Sequence, residues 1–242
     1  MPSTSESDSA KAIRPAAAAL PRRRKAARSS EILAAAREVF TARSYEEASI
    51  SEIAALAGCV EGTIYTYFRN KRELLDAVLA AFFDALVDDV APRLDAIHGT
   101  RDRLRFLVAR HLQISLDDPA LGALIVRESR RQGAYFGSKL HELNRRYSRF
   151  LQQTLEEGVR RGELRADLNC ALARDLIFGG IEHWAFNERG RRRAFEPAAV
   201  ADTIVGMLLD GWAASPQDAP LAVLSRRVDR LEASLRQTGR RK

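Results

Sequence analysis

Residues 60–75, VEGTIYTYFRNKRELL, place two Thr, two Tyr and one Phe ahead of a run of Arg, Asn and Lys. Hydroxyl groups donate to phosphate oxygens or base edges, and the methyl group of threonine suits the methyl group of thymine. Lys71 adds a cation near the start of the next helix, beside its positive end. These residue types are typical of a surface that contacts DNA. The alternative is that Tyr65 and Tyr67 simply pack between helices.

On a helix this segment has two different faces. Val60, Ile64 and Phe68 lie on one side, and Gly62 and Thr66 lie on the other. We expect the apolar side to dock on the preceding helices. Glycine on the outward side removes a side chain where a close approach would otherwise be blocked.

The preceding residues predict two helices that position this segment. From Ser29 to Ser44 the apolar side chains repeat with helical spacing. Ser49 and Glu52 form a capping box at the start of a short second helix, which ends at Gly58. A short capped helix, a Gly turn and a polar-faced short helix are typical of a helix-turn-helix, whose second helix enters the DNA major groove.

The stretch ILAAAREVFTARSYEEASISEIAALAGCVEGTIYTYFRNKRELLDAVL resembles the DNA-binding domain of the TetR family of bacterial transcriptional regulators. The resemblance implies a homodimer with an N-terminal helix-turn-helix domain. It also implies a C-terminal helical domain that binds a small ligand and dimerises. By motif position, the residues that would contact the operator, a double-stranded DNA site, are Ser49, Gly62, Thr63, Tyr65, Thr66, Tyr67 and Lys71.

Two positions depart from the family pattern. Ser44 stands where the family usually has Gly, and in a left-handed backbone Ser would cost about 1 kcal/mol more than Gly. Val60 stands where the family often has a Ser cap, and valine cannot cap a helix. Glu61 suits the helix dipole but repels phosphate unless it turns away or reads a cytosine amino group. We expect altered operator contacts at that end.

The composition is that of a globular protein, and its positive charge favours an acidic partner such as nucleic acid, although arginines on solvated helices would give the same sum. The 242 residues are 46% hydrophobic and carry a formal net charge of +7. Cys59 and Cys170 have no CxxC spacing, which predicts neither a disulfide framework nor a zinc site. No apolar run is long enough for a membrane helix. We expect a cytoplasmic bacterial protein without a membrane partner, associated with the nucleoid through DNA.

The spacing of apolar residues remains helical up to the C-terminal region, and no segment shows the sustained alternation of a strand. The pattern predicts a fourth helix that runs through Val90, and a further helical segment begins beyond Pro92. We predict an all-α fold, in which a long helix joins an N-terminal three-helix DNA-binding domain to a C-terminal ligand-binding and dimerisation domain. The expected segments are a disordered basic tail (1–28), the helix-turn-helix domain (29–75), the ligand-binding and dimerisation domain (76–214), and a C-terminal helix with a short heptad pattern and a basic tail (215–242). The first tail either solubilises the chain or lies along DNA.

The central helices could enclose an apolar pocket with a few polar groups, although most of their large side chains are expected to be core. The candidate ligand contacts are Phe106, His111, Ile125, Glu128, Tyr147 and Leu151. The Arg-rich patches of the same region are either an anion-binding surface or a solvated helix face. Residues 175–186, DLIFGGIEHWAF, together with residues 61–75, resemble the branch of the family that responds to fatty acyl-CoA.

Two later helices are apolar over wide arcs, which predicts a bundle of two helices from each subunit across a twofold axis. The alternative is burial inside one chain. The candidate dimer-interface residues are Phe178, Ile181, Trp184, Ile204, Leu208 and Trp212.

The chain has no HExxH, GxSxG or phosphate-binding loop motif, so we predict no enzyme, no catalytic residues, no metal and no cofactor. The predicted function is a ligand-responsive dimeric transcriptional regulator, a repressor that binds a palindromic operator. A small, largely apolar effector, such as an acyl-CoA, would release it. The alternative is a helical small-molecule carrier without operator binding.

Overall fold

The structure, a computed structural model, describes residues 19–131 and 133–212. These residues form α-helices and no strand, which confirms the predicted all-α fold. The C-terminal helix and tail predicted at 215–242, and the first eighteen residues of the predicted N-terminal tail, lie outside the described residues. The helices are α1 (Ala19–Ala42), α2 (Ile50–Leu56), α3 (Glu61–Tyr67), α4 (Lys71–Asp95), α5 (Thr100–Asp117), α6 (Pro119–Ser129), α7 (Lys139–Arg161), α8 (Cys170–Gly190) and α9 (Pro197–Trp212).

The chain divides into two compact units, Met1–Leu75 and Asp76–Lys242. Helices α1 to α3 belong to the first unit, and α5 to α9 belong to the second. Helix α4 begins in the first unit and continues into the second.

In the first unit, α1 packs on α2 and α2 packs on α3. Ile32 and Phe40 of α1, Ile53 of α2 and Ile64 of α3 are almost completely buried. The Ser49 hydroxyl caps α2 by accepting a hydrogen bond from the Glu52 amide at 3.0 Å. The turn between α2 and α3 passes through Gly58 and Cys59.

Helix α1 begins at Ala19, so the prediction of a tail up to residue 28 was wrong for its last ten residues. The scarcity of large apolar side chains in residues 19–28 does not prevent them from forming a helix. Alanine, leucine, arginine and lysine are among the strongest helix formers, and extending an existing helix costs much less than starting one.

The backbone penalty expected at Ser44 does not arise. Among the described residues, Arg192 is the one non-glycine position with a positive φ, at 54°. The Ser44 amide instead donates to Glu47 Oε2 at 3.2 Å, and the Glu47 amide donates to Ser44 Oγ at 3.2 Å. Serine therefore supplies a reciprocal turn that glycine could not make.

Helix α4 continues through Pro92 to Asp95, beyond the predicted end. Proline removes the amide that would bond to the carbonyl of Asp88. Both residues are exposed, so water can satisfy that carbonyl.

In the second unit, α5 is the central helix. It packs most extensively on α9 and also contacts α6, α7 and α8. Arg110 of α5 donates through Nε to Asp89 Oδ2 of α4 at 2.7 Å, and this bond holds the pKa of Asp89 below its usual value. Arg103 bonds to Glu157 of α7 at 3.2 Å. Charged pairs thus fix α5 against its neighbours at its partly exposed edges.

We expect Gly158→Ala to destabilise the second unit. A methyl group at Gly158 in α7 would lie 2.8 Å from both Leu164 Cδ1 and Thr100 Oγ1, and both neighbours are buried. Overpacking of this kind costs about 1–3 kcal/mol, more than the ~1 kcal/mol that alanine gains as a helix former. Urea unfolding measures the loss. In the control Gly122→Ala, the new methyl group has no neighbour within 4 Å, so a similar loss there would contradict the packing explanation.

Candidate functional site

Helix α3 presents a polar, aromatic face to solvent. Ile64 and Phe68 are buried, whereas Tyr65 is 51% exposed and Gly62 and Thr66 are also exposed. Val60 is 73% exposed, so its predicted place on the apolar side was wrong. The physical reason is that Val60 precedes the helix in an extended conformation, where the helical wheel does not apply. As expected, its side chain does not cap α3.

Three of the predicted DNA contacts already make hydrogen bonds within the protein. Ser49 caps α2, and the Thr66 hydroxyl donates to the Gly62 carbonyl at 3.0 Å. Lys71 Nζ donates to the Ala48 carbonyl at 2.8 Å and to the Glu46 carbonyl at 3.3 Å. The same ammonium group lies 4.7 Å from the ring centroid of Tyr45, so Lys71 holds the segment before α2.

Thr63 and Tyr67 are partly exposed beside Tyr65. The structure therefore brings the predicted residues of α3 onto one accessible face. A Cβ at Gly62 would meet nothing within 4 Å, which leaves this face open for a close approach. Glu61 is exposed at the start of the helix, where a carboxylate opposes contact with phosphate.

The sequence interpretation recognised the basic run before Ser29, as a tail that solubilises the chain or lies along DNA, but missed that its end belongs to α1. The Lys25 ammonium lies 5.9 Å from the ring centroid of Tyr67, and Arg28 donates to the Ala57 carbonyl at 3.3 Å. These side chains had been assigned to a tail. The run of basic residues next to a helix-forming stretch was the signal that could have placed them on α1, beside the exposed face of α3.

The second unit contains a cavity of about 520 Å³ among α5, α6, α7, α8 and the segment between α6 and α7. Of the predicted ligand contacts, His111, Ile125 and Tyr147 line it. The remaining lining residues are Val126, Ser129, Arg130, Tyr135, Phe136, His141, Asn144, Arg145, Ser148, Arg174, Asp175, Phe178 and Glu182.

The other three predicted contacts do not line this cavity. The guanidinium of Arg93 covers the ring of Phe106 at 4.9 Å from its centroid. Glu128 is buried and pairs with Arg131 at 3.3 Å, and Leu151 is core. All three lie on central helices, but helical periodicity alone did not distinguish the cavity wall from the surrounding core.

Three rings from three helices form one aromatic cluster on the cavity wall. The ring centroid of His111 lies 4.7 Å from that of Phe178 and 6.0 Å from that of Tyr147. Neither His111 Nδ1 nor the Tyr147 hydroxyl, both buried, has a hydrogen-bond partner among the described residues. Burial lowers the pKa of His111 to about 4 and raises the pKa of Tyr147. Both side chains are therefore neutral at physiological pH.

Charged groups occupy other parts of the wall. Arg130 and Arg145 are exposed, and Arg174 donates to Asp175 at 2.8 Å. Burial raises the pKa of Glu182, and the nearby charge of Arg130 partly offsets this effect. The cavity thus combines an aromatic interior with a cationic, solvent-accessible edge.

Ile181 of α8 is almost fully buried within its own chain, so its predicted place at an intersubunit surface was wrong. Phe178 lines the cavity and, like Trp184, is partly exposed. The Trp184 ring packs on Phe195, with 4.8 Å between centroids. On α9, Ile204, Leu208 and Trp212 are only partly exposed.

A different set of apolar side chains faces solvent. We call it the apolar stripe, and each member is more than half exposed: Leu172, Leu176 and Phe186 of α8 and Met207 of α9. The α8 members lie on one helical face together with exposed Gly179 and His183. A row of large apolar side chains of this kind marks an interaction surface.

Within the described ranges, no His, Cys, Asp or Glu cluster could hold a metal ion. Over the same part of the chain, no helix is sufficiently long and apolar to cross a bilayer.

We expect His111 to make the stability of the second unit pH-dependent. Its pKa is about 4 in the folded protein and near 6.5 when exposed, so the unfolded chain binds a proton first as the pH falls. Stability from this group is complete above about pH 6.5 and decreases towards pH 4, by up to about 3 kcal/mol. Urea unfolding of the native protein and His111→Gln at several pH values measures the difference. Parallel pH profiles for the two proteins would contradict a buried neutral His111.

Two family models together match most of the chain. Residues 32–78 match the model described as bacterial regulatory proteins, tetR family, and residues 80–211 match the YsiA-like protein, C-terminal region. The fatty acid metabolism regulator protein of Bacillus subtilis is 27% identical over 189 residues, covering 75% of this chain and 93% of that protein.

Solved structures show the same likeness. The fatty acid degradation regulator FadR of Bacillus halodurans superposes with a TM-score of 0.67 at 27% identity, covering 76% of this chain and 95% of the other. FadR of B. subtilis, in complex with stearoyl-CoA, gives a TM-score of 0.68 at 25% identity, covering 75% of this chain and 98% of the other. The chain therefore belongs to the tetR family of bacterial regulatory proteins and carries a YsiA-like C-terminal region.

Proposed function

We propose that this protein is a dimeric transcriptional repressor that binds operator DNA through α3 and is released by an acyl-CoA bound in the cavity of the second unit. Residues 29–75 then act as the DNA-binding domain and residues 76–214 as the effector and dimerisation domain. Such a repressor works in the bacterial cytoplasm, at the nucleoid, and catalyses no reaction.

The observation that carries the proposal is that one chain has both an exposed polar face on α3 and a cavity of ligand size. Helix α3 exposes Tyr65 and Thr66 in a helix-turn-helix, and the second unit encloses a 520 Å³ cavity, within the size range of small-molecule sites. A helical carrier without operator binding would need the cavity but not the exposed face of α3. Helix α4, which continues from one unit into the other, provides a covalent route for coupling.

The wall chemistry supports an amphipathic effector with an anionic group. Ile125, Val126 and Phe178 offer apolar surface to an acyl chain. Arg145 is exposed at the edge, and its side chain makes no hydrogen bond or ion pair within the described part of the chain. A guanidinium in that position suits the phosphate groups of coenzyme A. The stearoyl-CoA complex of B. subtilis FadR supports the same ligand class.

Release requires that the effector prefer one conformation of the dimer. A ligand shifts an equilibrium only by its differential affinity for the two states. We propose that acyl-CoA favours a dimer whose two recognition helices no longer match the spacing of successive major grooves, about 34 Å.

Tyr65→Ala should lower operator affinity by about 10- to 100-fold, because the lost side chain is half exposed on α3, where it can reach a base edge. Mobility shift with the upstream intergenic DNA of the gene, at two salt concentrations, measures the change. The control Gln153→Ala alters an exposed residue of α7 and should bind like the native protein. Unchanged affinity of Tyr65→Ala would show that α3 does not read the operator as proposed.

We also propose that the apolar stripe is the dimer interface. Leu176→Glu should shift the protein towards monomers, because a carboxylate would be buried between two apolar surfaces. Light scattering after size-exclusion chromatography measures the mass. The control Gln153→Glu adds the same charge outside the stripe, and its mass should not change. A dimer that persists in Leu176→Glu would place the interface elsewhere.

A further inference from the structure

One large aromatic side chain of the cavity wall lies almost entirely in solvent. Phe136, in the segment between α6 and α7, is 85% exposed, more than any other large apolar residue in the described ranges. Tyr147 of the same wall is only 6% exposed. Phe136 therefore lies at the open edge of the cavity. Single exposed apolar residues are common on protein surfaces, so the surroundings of Phe136 decide what it can bind.

The Phe136 ring is held in a fixed turn. Its centroid lies 5.4 Å from those of Tyr135 and His141, and both ring pairs meet edge to face. The Gly137 amide donates to His141 Nδ1 at 3.2 Å, and the Ser138 amide donates to the Tyr135 carbonyl at 3.0 Å. Gly137 has a φ of 82°, in the left-handed region that favours glycine. A ring fixed in this way loses little conformational freedom when a flat ligand group stacks on it.

A guanidinium group belongs to the same edge. Arg145 follows His141 by one turn of α7 and so lies on the same helical face, and the ring of His141 contacts that of Phe136. Arg145 and Phe136 both line the cavity and are exposed. An aromatic ring stacks on a flat heteroaromatic base, and a guanidinium pairs with phosphate. Together they have the chemistry that recognises a nucleotide.

The two carboxylates of the cavity wall, Asp175 and Glu182, come from α8 and have cations of their own. Asp175 accepts a hydrogen bond from Arg174 at 2.8 Å, and the nearby charge of Arg130 lowers the pKa of Glu182, against the larger effect of burial. The Arg145 side chain has no such partner in the described part of the chain. Arg145 is therefore the cation available to a phosphate of the ligand.

We propose that Phe136 and Arg145 form a nucleotide subsite at the cavity edge, where the Phe136 ring stacks on the adenine base of an acyl-CoA and Arg145 binds a phosphate beside it. The proposal rests on the function proposed above and adds the residue that recognises the adenine base. The acyl chain then occupies the apolar interior near Phe178. The effector is thus selected by its nucleotide end as well as by its acyl chain.

The test compares two thioesters that differ in the adenine nucleotide. Dodecanoyl-CoA and dodecanoyl-phosphopantetheine share the acyl chain, the thioester and the pantetheine phosphate, but the second lacks the adenine nucleotide. We expect the full-length protein to bind dodecanoyl-CoA about ten-fold more tightly in isothermal titration calorimetry. In Phe136→Leu this preference should fall to about two-fold, through weaker binding of dodecanoyl-CoA alone. Phe136→Trp retains a flat aromatic ring and should keep the preference.

Leu116→Ala is the matched control, because it shortens an exposed apolar side chain that does not line the cavity. It should leave both affinities unchanged. Equal binding of the two thioesters by the native protein, or a preference that survives in Phe136→Leu, would overturn the subsite but not the effector class. Equal losses for both thioesters in Phe136→Leu would place the ring against the acyl chain and also overturn the subsite. Binding of neither thioester would instead overturn the proposed effector, so the two failures are distinguishable.

Discussion

The meeting of three helices at one aromatic cluster is the packing constraint on which the cavity of the second unit depends. Helices α5, α7 and α8 pack around His111, Tyr147 and Phe178 but leave a cavity between them. A core selected only for stability would place apolar side chains at the first two positions, since unpaired polar groups are costly to bury. The rings of His111 and Tyr147, with that of Phe178, line the cavity in which a ligand would bind. Binding energy gained there is available to shift the dimer between states.

The same packing explains why α8 has two apolar faces. Ile177, Ile181 and Ala185 face the core of their own chain, and the apolar stripe lies on another face. An isolated subunit would expose that stripe to water. Cavity and stripe therefore share one helix, so a ligand that displaces Phe178 would also act on the stripe through α8. This arrangement offers a physical path by which occupancy could change the dimer.

The sequence predicted the all-α fold and the exposed face of α3, because helix caps, glycine turns and apolar spacing are local signals. It did not distinguish the two faces of α8: Ile181 was assigned to the interface and Leu176 was not, since a helix that is apolar all round has no preferred outward side. Nor could it separate Tyr147, on the cavity wall, from Leu151, in the core one turn later. That difference depends on how three helices meet. Val60 was misplaced because the helical wheel was applied to a residue that precedes the helix. Residues 19–28 were misplaced because their high helix propensity was outweighed by their scarcity of large apolar side chains.

The central claim is that ligand in the second unit controls DNA binding by the first. The most direct measurement is the affinity of the native protein for its upstream operator fragment, titrated with dodecanoyl-CoA and, separately, with coenzyme A alone. We predict that dodecanoyl-CoA dissolves the specific complex and that coenzyme A alone does not, because coenzyme A lacks the acyl chain. A specific complex that persists when calorimetry shows the protein saturated with dodecanoyl-CoA would contradict the account.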